Sequence, residues 1–236
     1  MLAAAAVCPC PPLLVPEVAG GAAHEMDPAR AACADAIGVL AAARPDRLVV
    51  VGPAGERQQG AFPAGSRGSL RGFGVDVDVT LGNAPAADGE RALPPSLTLG
   101  AWLLARTGYA GDATALGLDE ALDPGHCAGA GRDLVVGDER IALLVMGDGS
   151  ACRSAKAPGA YDERAAGFDA GVARALGAAD TDALAAVDPA AAAALRASGR
   201  ACWQLLAGAA AGAGLGGRLL YDEAPYGVGY FVASWS

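Results

Sequence analysis

The sequence predicts an α/β fold, a three-layer α/β/α sandwich with a mostly parallel, mixed central sheet. Three observations predict it. Short apolar runs at residues 2–7, 48–51 and 141–145 are separated by longer segments in which apolar side chains recur at helical spacing. That alternation builds a sheet covered by helices on both faces. The 236 residues are enough for one large buried core. No internal repeat or linker-like stretch divides them, so residues 1–236 read as a single domain.

The elements follow in order. Residues 2–7 are a short apolar run closed by prolines, which predicts a buried first strand. Residues 9–16 predict an extended loop, because repeated prolines remove backbone donors and exclude helix. Residues 27–43 predict a helix. Cys33, Ala36, Ile37 and Leu40 keep i, i+3, i+4, i+7 spacing, and Asp27-Pro28 supplies an N-cap followed by proline at the first helical position. Residues 48–51, apolar and β-branched, predict a central strand, and residues 53–74, rich in Gly, Ser, Arg and Gln, a long surface loop. Strict alternation in Val75-Asp76-Val77-Asp78-Val79 predicts a half-exposed strand. Residues 93–107 predict a helix with Pro94-Pro95 in its first turn. Residues 134–136 and 141–145 flank Gly137-Asp138, the pattern of a hairpin, which makes the sheet mixed. Two or three helices are expected between residues 161 and 212, and residues 219–220 and 228–234 close the fold as strands.

Charge excludes two classes of partner. Seventeen Lys and Arg stand against 26 Asp and Glu, a net charge of −9, and no compact basic patch offsets it. A nucleic acid or an anionic membrane surface would be repelled. The apolar opening lacks a basic leader and runs directly into Cys8-Pro9-Cys10-Pro11-Pro12, and no apolar stretch reaches 18 residues. The six cysteines are scattered without a disulfide framework and read as cytosolic thiols, so a cytoplasmic location is expected.

Three segments carry the functional reading. The first is the tail Asp222-Glu223-Ala224-Pro225-Tyr226-Gly227-Val228-Gly229-Tyr230-Phe231-Val232. It sets Glu223 at the mouth of a buried strand, where a carboxylate is either a metal ligand or a solvated turn residue. The second is Pro9-Cys10-Pro11-Pro12-Leu13-Leu14-Val15-Pro16-Glu17, and the third Met146-Gly147-Asp148-Gly149-Ser150. Asp148, Ser150, Arg153 and Lys156 are expected to line a polar pocket at a strand end, with Tyr226 and Tyr230 packed near its mouth. Arg153 and Lys156 would favour an anionic ligand. Residues 212–217 formally contain GxGxxG, but they follow a helix and precede a strand, the reverse of a dinucleotide fingerprint.

Together these segments resemble the class III extradiol ring-cleavage dioxygenases, more narrowly their LigB-type catalytic subunit, over nearly the whole chain. The resemblance implies the α/β sandwich and an Fe(II) held by two histidines and one glutamate, with a further histidine as acid/base. The first iron histidine would stand at Cys10. The second would follow Leu48-Val49-Val50-Val51-Gly52-Pro53, at Ala54, and the acid/base histidine would stand at Ala151. Only the glutamate is kept, as Glu223. A methyl group has no lone pair to offer, and a thiolate favours softer ions than Fe(II). The resemblance therefore implies a LigB-like scaffold that has lost its iron site, needs no cofactor, and binds a small molecule, anionic or aromatic, or a protein partner. Memo-type proteins look like the same scaffold in other roles. The alternative is a metal-dependent oxidoreductase with a rebuilt or subunit-shared site on Glu223 and Cys10. Cys8, His24 or His126 would join it, a donor set that suits Zn²⁺. Extradiol enzymes are commonly oligomeric, so a homo-oligomer is part of the expectation. If the correspondence holds, Cys10, Ala54, Ala151 and Glu223 converge in one cleft.

Overall fold

The structure, a computed structural model, describes residues 1–86 and 91–236. Its chain runs β1 (Leu2–Cys8), α1 (Pro16–Ala19), α2 (Asp27–Ala42), β2 (Arg47–Pro53), β3 (Gly60–Phe62), β4 (Arg67–Ser69), β5 (Asp78–Thr80), α3 (Pro95–Thr107), β6 (Ala113–Leu118) and α4 (Pro124–Leu134). There follow β7 (Ile141–Met146), α5 (Arg164–Ala178), α6 (Thr181–Ala185), α7 (Pro189–Ala194), α8 (Arg200–Ala210), β8 (Gly217–Glu223) and β9 (Tyr230–Trp235). Seven strands make one sheet in the order β3-β6-β2-β7-β1-β9-β8, and β4 and β5 make a separate two-stranded ribbon. β6, β2, β7 and β1 are mutually parallel, while β3 and β9 run against them. This is the expected three-layer α/β/α sandwich.

The period-two geometry of the strands divides the core in two. Ala4, Ala6 and Cys8 of β1, Leu48 and Val50 of β2, Ala142, Leu144 and Met146 of β7, and Tyr230 and Val232 of β9 pack with α2 and α3. The alternate residues, among them Val7, Val49, Val51, Leu143, Val145, Phe231 and Trp235, pack against apolar residues of α4, α5 and α8. Both faces are buried, so these strands read as continuous apolar runs rather than alternating ones. Among the described residues no helix is long and apolar enough to cross a membrane.

Several local expectations are corrected. The hairpin at Gly137-Asp138 does not exist: Leu134 ends α4, and β7 is a parallel central strand between β1 and β2. The mixed character of the sheet comes from β3 and β9. His126 lies in the first turn of α4, with Asp123 as the N-cap accepting from the His126 amide. The prolines between residues 9 and 16 do not exclude helix, because Pro12 and Pro16 stand where a helix has no use for the missing N–H. Pro12 opens a 3-10 turn, Pro12–Leu14, and Pro16 opens α1. Asp27 is not an N-cap. A 3-10 turn, Gly20–Met26, runs directly into α2, and the Asp27 carboxylate pairs with Arg30 at 2.5 Å. Residues 53–74 are not one loop, since Phe62 and its neighbours form β3 on the sheet edge. Of the alternating run only Asp78–Thr80 is strand, paired to β4. Four helices, not two or three, fill residues 164–210.

Candidate functional site at the carboxyl edge of the sheet

β8 is antiparallel to β9 and β9 to β1, so β8 is parallel to β1. Five strands, β6, β2, β7, β1 and β8, therefore end on the same edge, where open α/β sheets hold their ligands. The chain leaves these ends through Glu120, Ala54, Asp148, Cys10 and Glu223, and re-enters the sheet at Tyr230.

Cys10 lies at the centre of this row. Its amide donates to Asp148 Oδ1 at 2.8 Å, tying the end of β1 to the end of β7. Burial, then the charge of Asp148, then Cys202, push the Cys10 thiol well above its ordinary range. Burial likewise raises the Asp148 carboxyl to about 6, although the hydrogen bonds from Cys10 oppose the rise. On one side of the pair the buried Tyr230 phenol is raised by burial and by the charges of Asp148 and Cys10. Tyr226 stands beside it and donates its hydroxyl to Glu25 Oε2 at 2.8 Å. On the other side lie Cys202 and Glu120.

Glu120 is the least satisfied group at this edge. Burial raises its carboxyl to about 7, against the Ala201 amide and the Arg200 charge. Oε2 accepts from Ala201 N–H at 3.3 Å, at the start of α8, while Oε1 is buried without a partner among the described residues. Arg200 is fully buried and committed elsewhere, donating to Leu122 O at 2.7 Å, Gln204 Oε1 at 2.8 Å and the Glu120 carbonyl. Its Nε stays 3.8 Å from Glu120 Oε2.

A second carboxylate, Asp169 of α5, shapes the edge from beneath. It is fully buried and accepts from Ser150 N, Ser150 Oγ and Arg153 Nη1 at 2.8, 2.8 and 3.0 Å. The loop after β7 is thereby clamped to α5. Its other side is stitched to the tail motif by Gly149 N–H to Gly229 O, Gly229 N–H to Ser150 O, and Arg153 N–H to Gly227 O. Gly149 and Gly229 are required here, since a Cβ on either would strike Asp169 at 2.8 or 2.5 Å.

The residues named from the sequence divide accordingly. Cys10 and Asp148 are joined by a hydrogen bond, with Tyr230 and Tyr226 near them. Ser150 faces protein rather than a pocket, its hydroxyl fully buried on Asp169. Arg153 donates Nη1 to Asp169 rather than standing free, and Lys156 is exposed. Glu223 does not sit at the mouth of a buried strand: β8 is the sheet edge and Glu223 is exposed, opposite Tyr230. Ala151 is half-buried, its amide bonded to Leu195 O, and Ala54 is half-buried with its amide on Leu118 O. β2 and β8 lie four strand spacings apart, roughly 19 Å at the usual separation, so Ala54 and Glu223 flank the row from far ends. His24 and His126 are exposed, and His126 is bonded to Asp123. Glu120, Cys202, Arg200 and Asp169 were not named from the sequence. The legible signal was a charged or polar residue on an apolar helical stripe, as Asp169 stands between Ala165, Val172, Ala173 and Leu176.

This donor set does not fit the Fe(II) centre that the resemblance implies. Two positions carry methyl groups, the Cys10 thiol is held protonated by burial and Asp148, and Glu223 faces solvent. Among the described residues no three of His, Cys, Asp or Glu are grouped as metal ligands.

No family model matches the chain, and no curated protein matches it. Among solved structures it is similar to the crystal structure of uncharacterized protein JW3007 from Escherichia coli K12. The likeness covers 98% of both chains with a TM-score of 0.55 and 14% sequence identity. At that identity it shows a shared fold and nothing further.

Proposed function

We propose that this chain is a LigB-like scaffold without the dioxygenase chemistry, which binds a small aromatic molecule carrying hydroxyl or amine groups at the carboxyl edge of its sheet. The observation that carries the reading is the group of Glu120, Cys202, Asp148, Cys10 and Tyr230 at this edge. Around it the positions of the family's histidines hold groups that cannot bind iron, yet the edge keeps two carboxyls raised to about 6 and about 7. Near neutral pH such carboxyls are partly protonated and accept or donate hydrogen bonds to a ligand's hydroxyl or amine. Tyr226 and Tyr230 supply aromatic surface beside them. Arg153, suggested by the sequence for an anionic ligand, donates to Asp169.

The test has two arms. Protein purified anaerobically and offered Fe(II), Zn²⁺ and Mn²⁺ in turn is assayed by elemental analysis, with no stoichiometric metal expected. Metal at one equivalent that disappears in Glu223→Ala overturns the proposal in favour of a rebuilt centre. Calorimetric titration with catechol, an anionic catechol carboxylate and a cationic catechol amine is expected to rank the amine first and the carboxylate last. Binding that favours the carboxylate, or that is indifferent to Asp148→Asn, refutes the assignment of the edge.

A further inference from the structure

A cavity lies at the opposite edge of the sheet, between α2 and α3 where both helices end. It is a half-open cleft of about 560 Å³, within the range of small-molecule sites. Ala34, Ile37, Gly38 and Ala41 of α2 form one wall, and Leu103, Arg106 and Thr107 of α3 the other. Arg44 and Tyr109, from the loops that follow the helices, close the end. The walls are apolar and the cations sit at one end.

Three features separate this cavity from an ordinary gap between helices. Arg44 and Arg106 line it, and among the described residues neither has a carboxylate within ion-pair distance nor donates a side-chain hydrogen bond. In a chain of net charge −9 that is a local excess of positive charge. A cation near a helix C-terminus complements the macrodipole, which accounts for a single arginine but not for a cavity between two. The Arg106 guanidinium lies 5.3 Å from the centroid of the Trp102 ring one helical turn earlier, which orients it at this end of α3. Gly38 is the third feature. It stands inside α2, where glycine weakens a helix, and a Cβ there would meet no atom within 4 Å. Packing does not require glycine at this position, and a larger side chain there would stand in the cleft between the helices.

Burial, with Asp112 second, raises the Tyr109 phenol, so it remains protonated and serves as a hydrogen-bond donor beside the arginines. Arg30 also lines the cavity, but its guanidinium is committed to Leu14 O, Ala23 O and Asp27. We propose that this cavity is a binding site for a planar aromatic carboxylate. The ring would lie over Gly38 along Ala34 and Ala41 of α2, and the carboxylate would meet Arg44, Arg106 and the Tyr109 hydroxyl. Guanidinium forks match carboxylate geometry, and the small apolar side chains of α2 give the ring a surface to cover.

Calorimetric titration with 2-naphthoate and its uncharged amide tests this. One equivalent of 2-naphthoate is expected to bind, with the amide at least ten-fold weaker. Arg44→Ala with Arg106→Ala should erase that preference, and Gly38→Leu should abolish binding of both compounds while the circular dichroism melt holds or rises. If Gly38→Leu does not fold, Gly38→Ala replaces it, with weakened binding and a higher melting temperature expected. Equal affinity for acid and amide, binding that survives filling the floor, or no binding at all overturns the proposal.

Discussion

Replacing Asp148 with asparagine should make this protein more stable at neutral pH and remove part of its pH dependence. Asp148 titrates near 6 in the fold against an ordinary value of 3.8. The native state therefore holds the proton more tightly than the open chain does. Between about pH 4 and pH 6 the unfolded chain has released that proton while the folded one retains it, so stability falls as pH rises, by up to ~1.4 kcal/mol per pH unit. Summed over the interval, the ionised carboxylate costs roughly 3 kcal/mol by pH 7, and partial solvation of the edge brings the observable effect to about 1–3 kcal/mol. Asparagine is nearly isosteric, keeps an oxygen to accept the Cys10 amide, and carries no charge to bury. Urea denaturation of wild type and Asp148→Asn at half-unit steps from pH 4.5 to 8 measures the difference. The gap between the two curves should be small near pH 4.5, widen up to about pH 6 and stay level above it, with the variant the more stable. Equal slopes, or a variant less stable at pH 8, would show that Asp148 is well solvated or held by a stabilising partner, and the account of the edge would fail.

Other consequences of the packing are equally open to measurement. Asp169→Ala strips the acceptor from Ser150 N, Ser150 Oγ and Arg153 at once and should cost about 3–5 kcal/mol in denaturant titration, whereas Asp169→Asn should cost less. A loss under ~1 kcal/mol for the alanine variant would mean that the clamp contributes little. Gly208→Ala should destabilise by about 1–3 kcal/mol although alanine favours helix, because its Cβ would press into the Ala128 carbonyl where α4 and α8 cross. A gain in melting temperature there would contradict the close approach of those two helices.

The sequence was legible where apolar runs are long and unambiguous. The segments that became β1, β2 and β9 were found as unbroken apolar runs, and α2 by its helical spacing after Asp27-Pro28. β6 was missed because Ala113-Thr114-Ala115-Leu116-Gly117-Leu118 carries little β-propensity and becomes a strand only through its pairing with β2. The misread hairpin has a physical reason as well. Gly125, Gly129 and Gly131 make α4 look like loop, yet Gly131 is there because a side chain would collide with the Leu205 carbonyl of α8. Glycine in a helix can mark intimate contact rather than flexibility, and one sequence does not distinguish them. At the site, motif position identified Asp148, Cys10 and the tyrosines, but not Glu120. Its environment is assembled by Arg200 and Ala201, some eighty positions away, and no local pattern announces that meeting.

β1 carries one last implication. Its neighbours are β7 and β9, and Ala5 pairs with Trp235. β1, the first of these strands in chain order, thus waits for β9, the last of them, before it is enclosed. A growing chain presents Leu2–Cys8, apolar throughout, with both hydrogen-bonding edges open until β7 and then β9 emerge. Such long-range closure makes for slow, post-translational completion of the core and exposure to aggregation in the interval. A truncation before Ala233 would remove all three pairs, Ala5–Trp235, Ala6–Ser234 and Val7–Ala233, and leave β1 as an open edge.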